Sequence, residues 1–549
     1  MSKRPRKKAA VAPVDSRRWY ERRPLLFLGA ITVAALLPFV GKAFTMDDPL
    51  FVRTAQQIVQ HPFDPYGFSI NWYGRTEPMS GVTQNPPLTS YALAMASAIT
   101  GWNEIGLHLA FLAFAFAVIA GTWSLARDMT ERPFLAAVIT LVTPFFLVSA
   151  TNVMSDVPML ACFVWALALW RRGIDDDRSA LLVIAALLAA AAGLFKYFGV
   201  SALPLMLVYA IVRKRRIGAW ILPLALPLAA FAAYDFATKS MYGRALLTGA
   251  AHYATAEKTG SAANLVARSI LTLGFAGGGA IAILFFSPLI ARRRWWIAIA
   301  IVIGAALVVF ATGAPATLRI AGSSAQVAHL VIFTAAGLGI VVLAVVDVVR
   351  HRSADSIVLF LWIAGTLIFA AYVNWTVNAR SLLPLAPAVA ILVSRHVVAS
   401  RKAIAAAVAA SAAVALIAAA ADAAYANAQR HAATQFAIEY SGENHHIWFE
   451  GHWGFQYYME SIGAVPFGFD ETLHGKDLLV TPSMNTLLLN DVQRPPHRVI
   501  NVIRVPSPIP AGTVSNVMKA GFYSDYMGPL PYVFGAPPVE TYTVRRLGR

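Results

Sequence analysis

The sequence predicts an all-α polytopic membrane protein, with about 13 transmembrane helices and a small α/β domain at its C-terminal end. Three observations predict it. Of the 549 residues, 58% are hydrophobic and only 13% charged, about half the roughly 25% charged share of an average soluble domain. So few charges cannot cover the surface against water, and lipid must be part of the solvent. Apolar runs of roughly 16 to 25 residues recur along most of the chain, long enough to cross a hydrocarbon layer of about 30 Å. The formal charge is +17, yet about 26 of the 45 Lys and Arg lie in the N-terminal segment and in short loops that alternate along the chain. That alternation is the positive-inside pattern. The basic charge therefore sets topology, and a nucleic-acid partner is excluded.

Residues 1–23 (MSKRPRKKAAVAPVDSRRWYERR) are basic and read as an unstructured cytoplasmic segment. No small-residue cleavage site follows the next apolar run, so it reads as a first spanning helix and not as a removed signal peptide. The transmembrane module covers 24–425. Its spans fall near 24–43, 104–126, 134–150, 157–170, 179–195, 198–212, 218–236, 265–290, 297–313, 326–346, 357–374, 383–399 and 403–425. Cytoplasmic loops then carry Arg127/Arg132, Arg171/Arg172/Arg178, the run RKRR at 213–216, Arg292–Arg294, Arg350/Arg352 and Arg395/Arg401/Lys402. The single cysteine, Cys162, excludes an intrachain disulfide.

An odd number of spans puts the C-terminus on the outer face, together with the long segments 44–103 and about 237–264. In the first of these, VRTAQQIVQH and LTSYALAMASAIT have helical apolar spacing but are too short or too polar to span, and are predicted to lie along the membrane surface. The tail 426–549 is long enough for a small extracytoplasmic domain. HIWF, DLLVTP and RVINVIRV read as strands and GFQYYMESIGA as a helix, with the Pro-rich end (PSPIPAG, GPLPYVFGAPP) as extended loops. His445, His446, His452, Glu443 and Glu450 sit close in sequence there, but their spacing matches no standard zinc pattern. They read as the polar rim of an ordinary strand, turn and helix.

Most spans carry no charge, which makes the exceptions informative. Asp47 and Asp48 stand where the first span ends on the outer side. Asp156 (NVMSDVPML), Lys196 (FKYFG) and Arg380 (NARSLLPLAP) also map to the outer ends of spans. A charge deep in a spanning helix costs about 2.5–3.5 kcal/mol on insertion scales, so it faces a protein interior or a water-filled cavity. Each has a plainer reading as well. Asp48 before Pro49 and Asp156 before Pro158 can cap helices, Lys196 can snorkel, and Arg380 can anchor topology. Together the five can line one outward-facing cavity. A carboxylate there can serve as general base on a hydroxyl, and Lys and Arg can bind and stabilise a phosphate leaving group. The sequence contains no P-loop, no GxGxxG after a strand and no HExxH.

At these residues the chain resembles the GT-C membrane glycosyltransferases, in particular the family 39-type enzymes, which include protein O-mannosyltransferases and lipid A aminoarabinose transferases. MDDPLFVRTAQQI is similar to the family's opening DE-x-x-Y-x-x-x-A, with Asp47 at the catalytic Asp, Asp48 for Glu and Phe51 for Tyr. QNPPLTSYALAMA resembles its Pro-Pro-Leu segment, SDVPML its second acidic position at Asp156, FKYFG its Lys segment, and ARSLLPLAP its Arg-x-x-Leu-Pro segment. Gln84-Asn85 departs from the Glu-Lys of the aminoarabinose enzymes.

The resemblance implies a GT-C fold in a bacterial cytoplasmic membrane and a polyprenyl-phosphate sugar donor entering from the lipid. It implies Asp47 as base, with Asp48 and Asp156 beside it, Lys196 and Arg380 on the lipid phosphate, and Asn85 and Tyr197 as substrate contacts in the loops. The motifs require no cofactor, although carboxylates are compatible with a divalent metal. The competing class is a secondary transporter or flippase. That reading expects broken helices and ionisable groups at the membrane midplane, whereas here the charges cluster at span ends.

Overall fold

The computed structural model describes residues 22–548 apart from 84, 257–261, 291–294, 314–323, 441–445, 469–476, 491–492 and 537. The basic segment through residue 21, Glu443 and His445 lie outside the described residues.

The chain is a multi-pass membrane protein. Among the described residues, seven helices are long and apolar enough to cross a membrane: Glu104–Ala126, Asp156–Asp175, Tyr197–Lys214, Ala219–Tyr242, Ser324–His351, Ala354–Val373 and Arg401–Glu439. Two bent pairs raise the number to nine. The other four expected spans are apolar helices of only 10–17 residues: Pro24–Phe39, Ser179–Phe195, Ala300–Ala311 and Leu385–His396. A helix of 12 residues, such as Leu385–His396, rises only about 18 Å. Length therefore supports seven to nine crossings where the sequence predicted thirteen.

Local chemistry explains both bends. The helix Pro133–Leu141 stops before Thr143, whose hydroxyl accepts from Phe146 N–H, and Pro144 opens the next helix, Pro144–Ala150, at 61°. Proline suits a first helical turn and ends the helix before it. The second bend, 81° between Leu265–Gly279 and Ala282–Ile290, follows a run of glycines. A Cβ on Gly277 would lie 1.9 Å from the carbonyl oxygen of Phe333. Bare backbone there lets this helix press against Ser324–His351, the small-residue packing common in membranes.

The segment after the first helix holds two helices, Asp48–Gln60 and Leu88–Thr100, with a short hairpin, β1 (Ser69–Asn71) and β2 (Thr76–Pro78), between them. In Asp48–Gln60 the buried residues Leu50, Phe51, Val52, Thr54, Ala55 and Ile58 follow helical spacing.

The last expected span, 403–425, is only the first part of a 39-residue helix, Arg401–Glu439. This helix continues into the C-terminal domain, whose mixed sheet contains β3 (Ile447–Phe449), β4 (Val465–Pro466), β5 (Leu478–Pro482), β6 (His497–Val505) and β7 (Glu540–Leu547) in the order β4-β3-β5-β7-β6. β3 runs parallel to both neighbours, and β7 runs antiparallel to β5 and β6. Helix Trp453–Ser461 packs against the sheet, with Phe455 stacked on Tyr542 at 5.3 Å between ring centroids. The domain is bound to the bundle by polar contacts as well: Tyr458 hydroxyl accepts from Phe44 N–H at 2.7 Å and donates to Glu104, and Arg53 pairs with Glu460.

Candidate functional site

Asp47 occupies the N-cap position of helix Asp48–Gln60, yet its side chain makes no capping bond. Asp48 does the local work instead. It is fully buried, Oδ2 accepting from Thr45 N–H at 3.0 Å and Oδ1 from Val153 N–H at 2.9 Å. Met46, just before, has φ +48°, a left-handed conformation uncommon outside glycine. The twist turns the Asp47 carboxylate away from its own helix, 28% exposed, toward Arg380.

Three other segments bring their charges to the same place. Asp156 opens helix Asp156–Asp175, with residues 151–155 between it and the second half of the first bent pair, Pro144–Ala150. An anionic group in a first turn is favoured by the helix dipole. Lys196 ends helix Ser179–Phe195 in extended backbone, and a 3₁₀ turn, Tyr197–Ser201, follows. Gly199 is required in that turn, because a Cβ would lie 2.2 Å from the carbonyl carbon of Ala192. Arg380 stands on the short helix Ala379–Leu382, capped by Asn378 Oδ1 accepting from Ser381 N–H at 2.8 Å. The C-terminal domain holds this helix in place, since Ala379 N–H donates to Phe522 O at 2.8 Å.

The four side chains form one chain of charges. Arg380 Nη2 donates to Asp47 Oδ2 at 2.9 Å, its Nε lies 3.9 Å from Asp156 Oδ2, and Lys196 Nζ donates to the other oxygen of Asp156. The Arg380 guanidinium also lies over the Tyr523 ring, 5.5 Å from its centroid, a cation–π geometry. Two carboxylates balance two cations, so the desolvated charges compensate one another. Burial opposes the charge on Arg380, but Asp156 and Asp47 outweigh it and raise the guanidinium above its ordinary value. Burial pulls the Lys196 ammonium down against Asp156, and Arg380 adds to the lowering.

The structure thus brings Asp47, Asp156, Lys196 and Arg380 together and leaves Asp48 out. Burial pushes the Asp48 carboxyl up to about 7, against Lys42 and its two backbone donors. Its two hydrogen bonds tie the first loop to the loop before Asp156. Asn85 and Tyr197 meet a neighbouring cluster of tyrosines. Tyr66 hydroxyl donates to Asn85 O at 2.8 Å, and the Tyr197 and Tyr234 hydroxyls lie 3.5 Å apart.

The sequence reading overlooked a second polar cluster behind the first. Lys42 and Asp422, both fully buried, pair at 2.5 Å. Lys42 also donates to Thr151 and Asn152, and Asp422 accepts from Thr513 and Tyr523. A signal was available, for Asp422 is a lone carboxylate in an alanine-rich membrane helix, a costly placement without a partner.

Residues 84–242 match the family model described as dolichyl-phosphate-mannose-protein mannosyltransferase. That stretch includes Asn85, Asp156, Lys196 and Tyr197; Asp47, Asp48 and Arg380 lie outside it. The chain is therefore similar to the family 39-type GT-C transferases over this region. Among solved structures it is similar to ArnT from Cupriavidus metallidurans, apo and bound to undecaprenyl phosphate. Each is 14% identical, over 84% of this chain and 93% of that one, with a TM-score of 0.42. The arabinofuranosyltransferase AftD from Mycobacteria is 13% identical over 96% of this chain and 40% of its own, with a TM-score of 0.35. Superpositions this loose carry no residue correspondences. No curated protein sequence matches the chain.

Proposed function

We propose that this chain is an inverting glycosyltransferase that moves a sugar from a polyprenyl-phosphate donor to an acceptor hydroxyl. The observation that supports it is the ion pair between Asp47 and Arg380, set beside Asp156 and Lys196. A donor phosphate and the Asp47 carboxylate are alternative partners for Arg380. Arginine binds phosphate through two parallel N–H groups, so an arriving donor draws Arg380 to its leaving phosphate and releases Asp47 Oδ2. The freed carboxylate accepts the proton of the acceptor hydroxyl. The hydroxyl oxygen attacks the anomeric carbon from the face opposite the phosphate, and the carbon–oxygen bond to polyprenyl phosphate breaks. Arg380 and Lys196 stabilise the charge that develops on the departing phosphate, and Asp156 holds both cations in place.

The reading places the bundle in a bacterial cytoplasmic membrane, the N-terminus in the cytoplasm, and the charge cluster and C-terminal domain on the periplasmic side. Sugar transfer from polyprenyl-phosphate donors by the purified chain tests it. Loss of a positioned general base costs about 10²–10⁴-fold, so Asp47→Asn should fall by that much while still binding polyprenyl phosphate. Equal rates in wild type and Asp47→Asn would remove Asp47 as the base.

A further inference from the structure

Far from the charge cluster, two helices end side by side with three metal-ligating groups. Asp347 lies in the last two turns of Ser324–His351, His351 ends that helix, and His396 ends Leu385–His396. Near its start, Ser324–His351 touches the C-terminal domain, where His329 faces Phe534. Asp347 lies 18 residues further along, about 27 Å at helical rise. The cluster is therefore at the other end of the bundle and shares no residue with the proposed transfer site.

Asp347 is fully buried. Its Oδ1 lies 2.7 Å from His396 Nε2 and 3.2 Å from His351 Nδ1, and one ligand atom from each of the three residues falls within 4.8 Å of the others. Around a tetrahedral ion with bonds of about 2.0–2.2 Å, donors stand roughly 3.3–3.6 Å apart, so the 3.2 Å pair is close to that spacing and the 2.7 Å hydrogen-bonded pair opens slightly as the ion enters. Arg395 Nη1 donates to the other oxygen, Oδ2, at 2.8 Å, which turns Oδ1 toward both imidazoles. Hydrogen bonds of this kind to a ligand's outer atom orient metal sites generally. Asp347 and His351 are four residues apart on one helix, so they share a face. His396 sits on a separate helix, so an ion held by all three fastens two elements together. The His351 side chain is 46% exposed, leaving a side open for ion entry and a water ligand.

We infer that Asp347, His351 and His396 bind one divalent ion of the zinc class, which cross-links the ends of the two helices. Two imidazoles with one carboxylate select zinc or cobalt over magnesium and calcium, which prefer all-oxygen shells. The ion replaces the proton shared between His396 Nε2 and Asp347 Oδ1, so binding releases it. With three protein ligands, the fourth position is left to water.

The test is Co²⁺ titration of the purified, tag-free full chain after chelator treatment, read by visible absorption and by bound metal per chain. The expected result is one Co²⁺ per chain with the strong visible bands of a four-coordinate site, displaced by Zn²⁺. Binding should be lost in His351→Gln and in His396→Gln. His351 is half exposed, so its replacement keeps the fold, and added Zn²⁺ should raise the melting temperature of wild type but not of His351→Gln. Failure to bind one equivalent, or binding unchanged in both variants, would overturn the site and leave an ion-pair network alone.

Discussion

Asp48 accepts the N–H groups of Thr45 and Val153 on its two oxygens, whereas an asparagine side chain has one acceptor oxygen for the same pair. Asp48→Asn therefore strands one buried donor, at a cost of about 1–3 kcal/mol. We expect a lower melting temperature in detergent with residual transfer per folded molecule, the reverse of Asp47→Asn, which should melt normally and lose transfer by about 10²–10⁴-fold. Arg380→Lys keeps the charge but removes the planar fork, and transfer should drop about a hundredfold, the scale of one lost transition-state donor. A charge at the end of an apolar run is conspicuous, and that is why Asp47, Asp156, Lys196 and Arg380 were legible in the sequence. Which of two adjacent carboxylates turns inward was not legible. Met46 in left-handed conformation decides it, and no side-chain pattern announces that twist.

At the level of elements, β3, β5, β6 and the helix Trp453–Ser461 were all readable from short apolar stretches between turn residues. The interior strand β7, between β5 and β6, escapes such a reading. Its sequence ETYTVRRL alternates buried and partly buried residues only over its first half, and its two arginines resemble a solvated end. Arg545 is in fact buried, and its Nη1 donates to Thr481 at 2.8 Å. At the start of this strand, burial raises the Glu540 carboxyl to about 7, although four donors from Ser483, Met484 and Thr541 converge on Oε1 and oppose the shift. A carboxyl raised from 4.5 on folding contributes stability that is complete below the unfolded value and is lost as pH rises through about 7. The melting temperature of wild type should fall between about pH 5 and pH 7.5, equivalent to roughly 3 kcal/mol at about 1.4 kcal/mol per pH unit. Glu540→Gln should flatten that part of the profile.

Across the whole molecule, Lys42 and Asp422 join the approach to Asp47, the loop before Asp156, the long helix and the C-terminal domain at one buried point. Removing one partner strands the other charge, at about 3–5 kcal/mol, while replacing both by apolar residues can be close to neutral. Lys42→Met alone should cost thermal stability and transfer together, and Lys42→Met with Asp422→Leu should regain most of the stability. The bundle itself was legible because lipid demands long apolar runs. The interlock was not, because its partners lie 380 residues apart. The 39-residue helix that carries Asp422 is about 58 Å long, nearly twice a hydrocarbon layer of about 30 Å. Asp422 is its twenty-second residue, about 32 Å from the start, close to one bilayer thickness. The buried pair with Lys42 therefore pins the long helix about one hydrocarbon thickness from its first residue, and the turns beyond Asp422 are left to carry the C-terminal sheet.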